Sequence, residues 1–77
     1  MNKYFISLTR GLNGLYIVAI AKDEETVREY ANLYLKEIWG NVYTEAYFYE
    51  LIRRRYPHSK VINQNRPLDL QNGPRYD

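Results

Sequence analysis

An alternating run, a turn bracketed by two glycines and a second apolar run constrain this chain more than any other feature. In residues 3–9, Tyr4, Ile6 and Leu8 share one face of an extended segment, and Phe5, Ser7 and Thr9 share the other. Period-two alternation is the signature of a strand. Residues 15–21, LYIVAIA, are almost wholly apolar and rich in β-branched side chains, which predicts a strand covered on both faces, or on one face with a partner on the other. Gly11-Leu12-Asn13-Gly14 joins the two. Asn-Gly suits the two positive-φ positions of a type I′ turn, and Gly11 can add a bulge beside it. The expected element is a β-hairpin.

A helix should follow. Asp23 is a good N-cap, and Glu24 and Glu25 suit the positive end of a helix dipole. Val27, Ala31, Tyr34, Leu35 and Ile38 recur at helical spacing as a buried stripe, widened by Tyr30, Leu33 and Trp39. Gly40 is placed to stop it. Residues 41–43 read as a short strand. Thr44 can cap a second helix running to about Tyr56, with Phe48, Leu51 and Ile52 inward and Pro57 beyond the end. A strand over 42–49 competes, because tyrosines favour strands; Glu45, Ala46, Glu50 and the arginine run favour helix. Residues 60–63 read as a last strand. The expected architecture is a small β-β-α-β-α-β domain of the α+β class over residues 1–63, with both helices packed on one sheet face. Residues 64–77, rich in Asn, Gln, Pro and Gly, are expected as an extended, partly mobile tail with Leu68 and Leu70 as its apolar anchors.

Composition narrows the function. With 77 residues the chain has room for one core, and that core is marginal. It has no cysteine, so neither a disulfide framework nor a thiolate site is available. It has one histidine, which argues against a multi-histidine metal site. No apolar run approaches the roughly 18–20 residues of a membrane span, and residues 1–4 lack the start of a signal peptide, so a cytoplasmic protein that does not engage a membrane is expected. No catalytic constellation stands out. His58 and Ser59 are adjacent and diverge as side chains, without a neighbouring acid. Glu45 and Glu50 diverge on a helix. Glu24, Glu25 and Glu29 read as a solvated helix start rather than a hard-metal site. The glycine-rich turn lacks the lysine and the strand-to-helix setting of a phosphate loop. Neither enzyme activity nor a cofactor is expected.

The binding signal lies in the tyrosines and arginines. The net charge of +2 conceals an uneven spread: residues 1–50 sum to −2 and residues 51–77 to +4. That pattern points to an anionic partner, or simply to a solvated basic helix end. Nine tyrosines exceed what so small a core can bury. Some can line the core rim with hydroxyls in water; the rest suit an interface. Tyr43, Tyr47 and Tyr49 stand close to Arg53, Arg54 and Arg55. Tyrosine with arginine is the composition of a protein–protein hot spot, and it also suits single-stranded nucleic acid. Leu68 and Leu70 add a segment that can order on a partner as an extra strand, and a homodimer through a sheet edge or the tyrosine face is a further option.

In size and style, cysteine-free and tyrosine-rich with a hairpin ahead of an acid-capped helix, the chain resembles the small accessory proteins of bacteriophages and mobile elements, including anti-CRISPR inhibitors. That resemblance carries no shared motif and transfers no residue. It implies a non-enzymatic inhibitor or adaptor that binds a host protein or complex, including nucleic-acid-processing machines, inside a bacterial cell.

Overall fold

The hairpin forms as the alternation predicts. β1 (Asn2–Leu8) pairs antiparallel with β2 (Leu15–Ala21), setting Phe5 opposite Val18 and Ile6 opposite Ile17. The structure, a computed structural model, describes residues 1–71. The turn chemistry differs from expectation. The Leu12 N–H donates to the Thr9 carbonyl at 3.2 Å, and the positive φ values fall on Arg10 (55°) and Gly11 (89°). The type I′ pair is therefore Arg10-Gly11. A second turn, closed by the Leu15 N–H on the Leu12 carbonyl at 3.1 Å, uses Gly14 at φ 89°. Two successive turns need three left-handed residues, and glycine fills two of them without a Cβ penalty.

The first helical segment, α1 (residues 24–35), is α-helical over Glu24–Tyr30 and π-helical over Ala31–Leu35. Asp23 caps it, accepting from the Thr26 N–H at 2.9 Å and the Thr26 hydroxyl at 2.7 Å. These bonds hold the Asp23 carboxyl below its usual range, with Lys22 adding in the same direction. Val27 and Ala31 are fully buried, as the stripe requires. The π turn rotates each residue less than an α turn does, so Tyr34 falls off the stripe and is exposed; Ile38, in the 3-10 turn beyond Lys36, is exposed as well. The helix ends earlier than Gly40. Lys36 takes φ 49° and ψ −109° at its C-terminus, a 3-10 turn covers Lys36–Ile38, and β3 (Trp39–Thr44) begins at once. Such a backbone costs a non-glycine residue on the order of 1–3 kcal/mol. Lys36→Gly should therefore raise stability by about 1 kcal/mol, read as a higher urea midpoint with an unchanged slope. Gly40 has another task. A Cβ there would sit 3.0 Å from Thr9 Cγ2 and 3.1 Å from Ser7 Oγ. Its missing side chain lets β3 close on the irregular register of β1 between Ile6 and Leu8.

Thr44 caps α2 (residues 45–55) by accepting from the Tyr47 N–H at 3.1 Å. Helix therefore prevails over strand from Glu45, with a π turn at Phe48–Ile52 and a last turn at Arg53–Arg55. Two short strands, β4 (Lys60–Val61) and β5 (Leu68–Asp69), both pair parallel with β2. The sheet reads β3-β1-β2-β4, with β5 beside β4 along the same edge of β2.

The domain is α+β with the expected β-β-α-β-α-β order followed by one further strand, β5, but the helices lie on opposite faces of the sheet rather than on one. Tyr4, Ile6, Ala19, Ala21 and Val42 pack on the α1 side with Val27. Phe5, Tyr16, Val18 and Val61 pack on the α2 side with Phe48 and Ile52. The path explains this. The chain crosses from β2 to β3 through α1 and returns from β3 to β4 through α2. Crossovers of one hand that run in opposite directions cover opposite faces. Both faces of β2 are thereby covered within the domain, the first of the two readings its apolar run allowed.

The ordered fold also continues past Asn63. The Asn63 side chain behaves like a peptide group in the gap between β4 and β5. Its Oδ1 accepts from the Val18 N–H at 2.8 Å, and its Nδ2 donates to the Val18 carbonyl at 2.9 Å and the Arg66 carbonyl at 3.2 Å. Beyond it, the Leu70 N–H donates to the Ile20 carbonyl at 2.8 Å, and Leu70, 2% exposed, joins the α1-side core with Leu68 packed against it. Residues 64–71 are thus part of the domain, and the remainder of the expected tail, residues 72–77, lies outside the described residues.

Candidate functional site

Helical geometry sorts the predicted binding residues. Phe48 and Ile52 point into the sheet, so residues at 47, 51, 54 and 55 fall on one flank of α2 and residues 49 and 53 on the other. The first flank, together with β3, forms a groove lined by Tyr43, Tyr47, Glu50, Leu51, Arg54 and Tyr56, with Arg55 at its end. The Tyr43 and Tyr47 rings are parallel, 7° apart in plane with centroids 5.2 Å apart. Tyr47 is 47% exposed, Leu51 54% and Tyr56 57%. Leu51, expected inside, is an outward apolar side chain of this groove, because the sheet is filled beneath α2 by Phe48 and Ile52 alone.

Tyr49 belongs elsewhere. Its ring meets Phe5 edge-on at 5.5 Å and Phe48 at 5.2 Å, so it borders the core on the far flank. Arg53 is exposed and does not line the groove. Leu68 and Leu70 are engaged within the domain. Of the eight predicted residues, the structure gathers Tyr43, Tyr47, Arg54 and Arg55 and separates the other four. Glu50, Leu51 and Tyr56 complete the groove. Of these, Leu51 had a signal in the sequence, the spacing 47, 51, 54, which repeats once per helical turn.

Electrostatics leave this surface basic. Among the described residues the ion pairs are Arg28 with Glu24 at 2.8 Å and Arg10 with Glu37 at 3.5 Å, and neither involves Arg53, Arg54 or Arg55. The Arg55 guanidinium lies 5.8 Å from the Tyr56 ring centroid. Below the groove, burial pushes the Tyr16 phenol upward, with Tyr43 and Tyr56 adding in the same direction and the Ser59 hydroxyl opposing. Tyr16 therefore remains a neutral hydrogen-bond donor at physiological pH.

The outermost strand on the β3 side is closed to pairing at one point. Asn41 Oδ1 accepts from the Val42 N–H at 2.8 Å and from Arg28 Nη2 at 2.7 Å. A backbone donor of the edge is thus satisfied by its own neighbour. Among the described residues no group of three His, Asp or Glu side chains is arranged to hold a metal ion, and no helix is long and apolar enough to cross a membrane. Compared with known proteins, the chain matches no family model, no curated protein and no solved structure.

Proposed function

We propose that this protein is a non-enzymatic binding module that seats a partner protein in the groove between β3 and α2. The stacked pair of partly buried Tyr43 and exposed Tyr47 carries this reading, with outward Leu51 and Tyr56 along the same wall and Arg54, which is in no ion pair among the described residues. Rigid aromatic rings give large contact area at low entropic cost. Arginine at their margin meets carboxylates bidentately. The resemblance to phage and mobile-element accessory proteins supplies the class of partner: a host protein or complex, including one that processes nucleic acid. The blocked Val42 donor and the two-residue strands on the other edge favour this groove over strand addition. A second copy of the chain is one alternative occupant.

Single-stranded nucleic acid is the second reading, favoured by the same rings and cations. The two separate by capture from bacterial lysate with and without nuclease. Tyr47→Ala combined with Arg54→Glu should reduce recovery of the partner at least tenfold and leave the melting temperature within a few degrees, since both side chains are exposed. Arg53→Glu, off the groove, should retain it. A partner that survives nuclease and vanishes with the double substitution supports the protein reading. Recovery that depends on nucleic acid and falls log-linearly with salt supports the second. Undiminished recovery by the double variant would displace the site from this groove.

A further inference from the structure

Backbone strain gathers at the junction where α1 gives way to β3. Among the described residues, Arg10 (φ 55°) and Lys36 (φ 49°) are the non-glycine residues at positive φ, and both border the same set of contacts. The Thr9 N–H donates to the Ile38 carbonyl at 2.7 Å, the Thr9 hydroxyl donates to the Glu37 carbonyl at 3.2 Å, and Arg10 pairs with Glu37 at 3.5 Å. The strand ladder is irregular here too. Ile6 faces Val42 and Leu8 faces Trp39, so β3 carries an extra residue opposite Ser7. The Ser7 hydroxyl bridges the gap, accepting from the Asn41 N–H at 2.9 Å and donating to the Asn41 carbonyl at 3.3 Å.

We propose that this junction is a two-state latch. In the closed state, described above, the bonds from Thr9 and the bridge through Ser7 hold Lys36 at its strained φ. In the open state residues 36–40 leave β1, Lys36 relaxes to negative φ, and Trp39 leaves the Arg28 guanidinium, which lies 5.8 Å from its ring centroid. Opening uncovers the β1 edge from Ser7 to Thr9. The two states are balanced by opposing local effects. Positive φ at a non-glycine residue disfavours the closed state. The tethers are solvent-exposed hydrogen bonds and a surface ion pair, each of small worth. Neither side dominates, which is the condition for a populated minor state. The π turn and the 3-10 turn that meet at Lys36 are the backbone irregularities that mark hinges. Past the junction, Val42, Tyr43 and Thr44 keep their regular pairing with Ile6, Phe5 and Tyr4, so the partner groove stays in place when the latch opens.

The test is nitrogen-15 relaxation dispersion on the full chain, read at the amides of Lys36 to Gly40 and at the indole of Trp39, the one tryptophan. Microsecond-to-millisecond exchange should be confined to this junction. Lys36→Val should raise the open population roughly fivefold, because a β-branched residue tolerates positive φ worst, and Lys36→Gly should lower it by a similar factor. The Lys36 side chain is exposed, so neither change removes core packing. Thr9→Ala should raise the open population as well, and Thr9→Ser, which keeps the hydroxyl, should return it to the parent level. Tyr47→Ala with Arg54→Glu should leave the exchange unaltered, which separates the latch from the partner groove. Flat dispersion in the parent, Lys36→Val and Thr9→Ala proteins alike, equal exchange in Lys36→Gly and Lys36→Val, or exchange spread evenly over β1 and α2 would each overturn the proposal.

Discussion

Truncating Phe48 to alanine is expected to leave most of the protein unfolded near room temperature. Phe48 is fully buried at the centre of the α2-side core. Its ring stacks on Phe5 with centroids 4.2 Å apart and planes 6° apart, and it meets Tyr16 at 4.9 Å and Tyr49 at 5.2 Å. Removing a buried phenyl costs about 3–5 kcal/mol through lost transfer energy and the cavity left behind. A single core of this size rarely supplies more than about 3–5 kcal/mol in all. Near- and far-ultraviolet circular dichroism should therefore both show a collapsed transition. A midpoint within a few degrees of the parent would contradict the stacking of α2 on β1. Tyr49→Ala, by contrast, removes a half-exposed ring and should cost less.

Asn63→Leu is expected to destabilise by about 2–5 kcal/mol, although it keeps the branched side-chain shape and adds apolar surface. It removes at once the acceptor for the Val18 N–H and the donor to the Val18 carbonyl. Two backbone groups on the central strand β2 then lose their partners, at about 1–3 kcal/mol each where water does not replace them. Amide exchange at Val18 should rise far more than exchange at Phe5, whose strand is paired on both sides. Asn63→Asp separates geometry from packing. It retains the acceptor but sets a carboxylate against a carbonyl oxygen, so it should be no better tolerated than leucine. Equal stability of all three proteins would mean that water already serves Val18.

Where apolar periodicity met a local signal, the fold was legible in the residues. The alternation of Tyr4, Ile6 and Leu8 placed β1, the unbroken run at 15–21 placed β2, and Asp23 and Thr44 marked both helix starts. The misplacements share a cause: each depended on contacts distant in sequence. Gly40 looked like a helix stop because its constraint, the nearness of Ser7 and Thr9, lies more than thirty residues away. Asn13-Gly14 looked like the type I′ pair because Arg10, a residue with no special taste for positive φ, is held there by the double turn. Tyr34, Ile38 and Leu51 matched a regular 3.6-residue stripe; the π turn shifts Tyr34, the break at Lys36 removes Ile38, and Leu51 faces outward because Phe48 and Ile52 fill the space beneath α2. Of the groove between β3 and α2, Tyr47 and Arg54 were legible as composition. Their union in one groove, and the exclusion of Tyr49 and Arg53 from it, awaited the rotation of α2.

The interrupted edge beside β2 also bears on how the protein is made. Leu70 fills the α1-side core, yet it follows the last strand described, while β1, which lies against that same core, leaves the ribosome before it. A nascent chain made only as far as α2 can assemble the β3-β1-β2 sheet and both helices. It still exposes the carbonyls of Val18 and Ile20 and an open socket above Ala19. Completion of this domain during synthesis is accordingly gated by the arrival of a few late residues, and a ribosome paused before them would display an unfinished sheet edge to chaperones and to neighbouring chains.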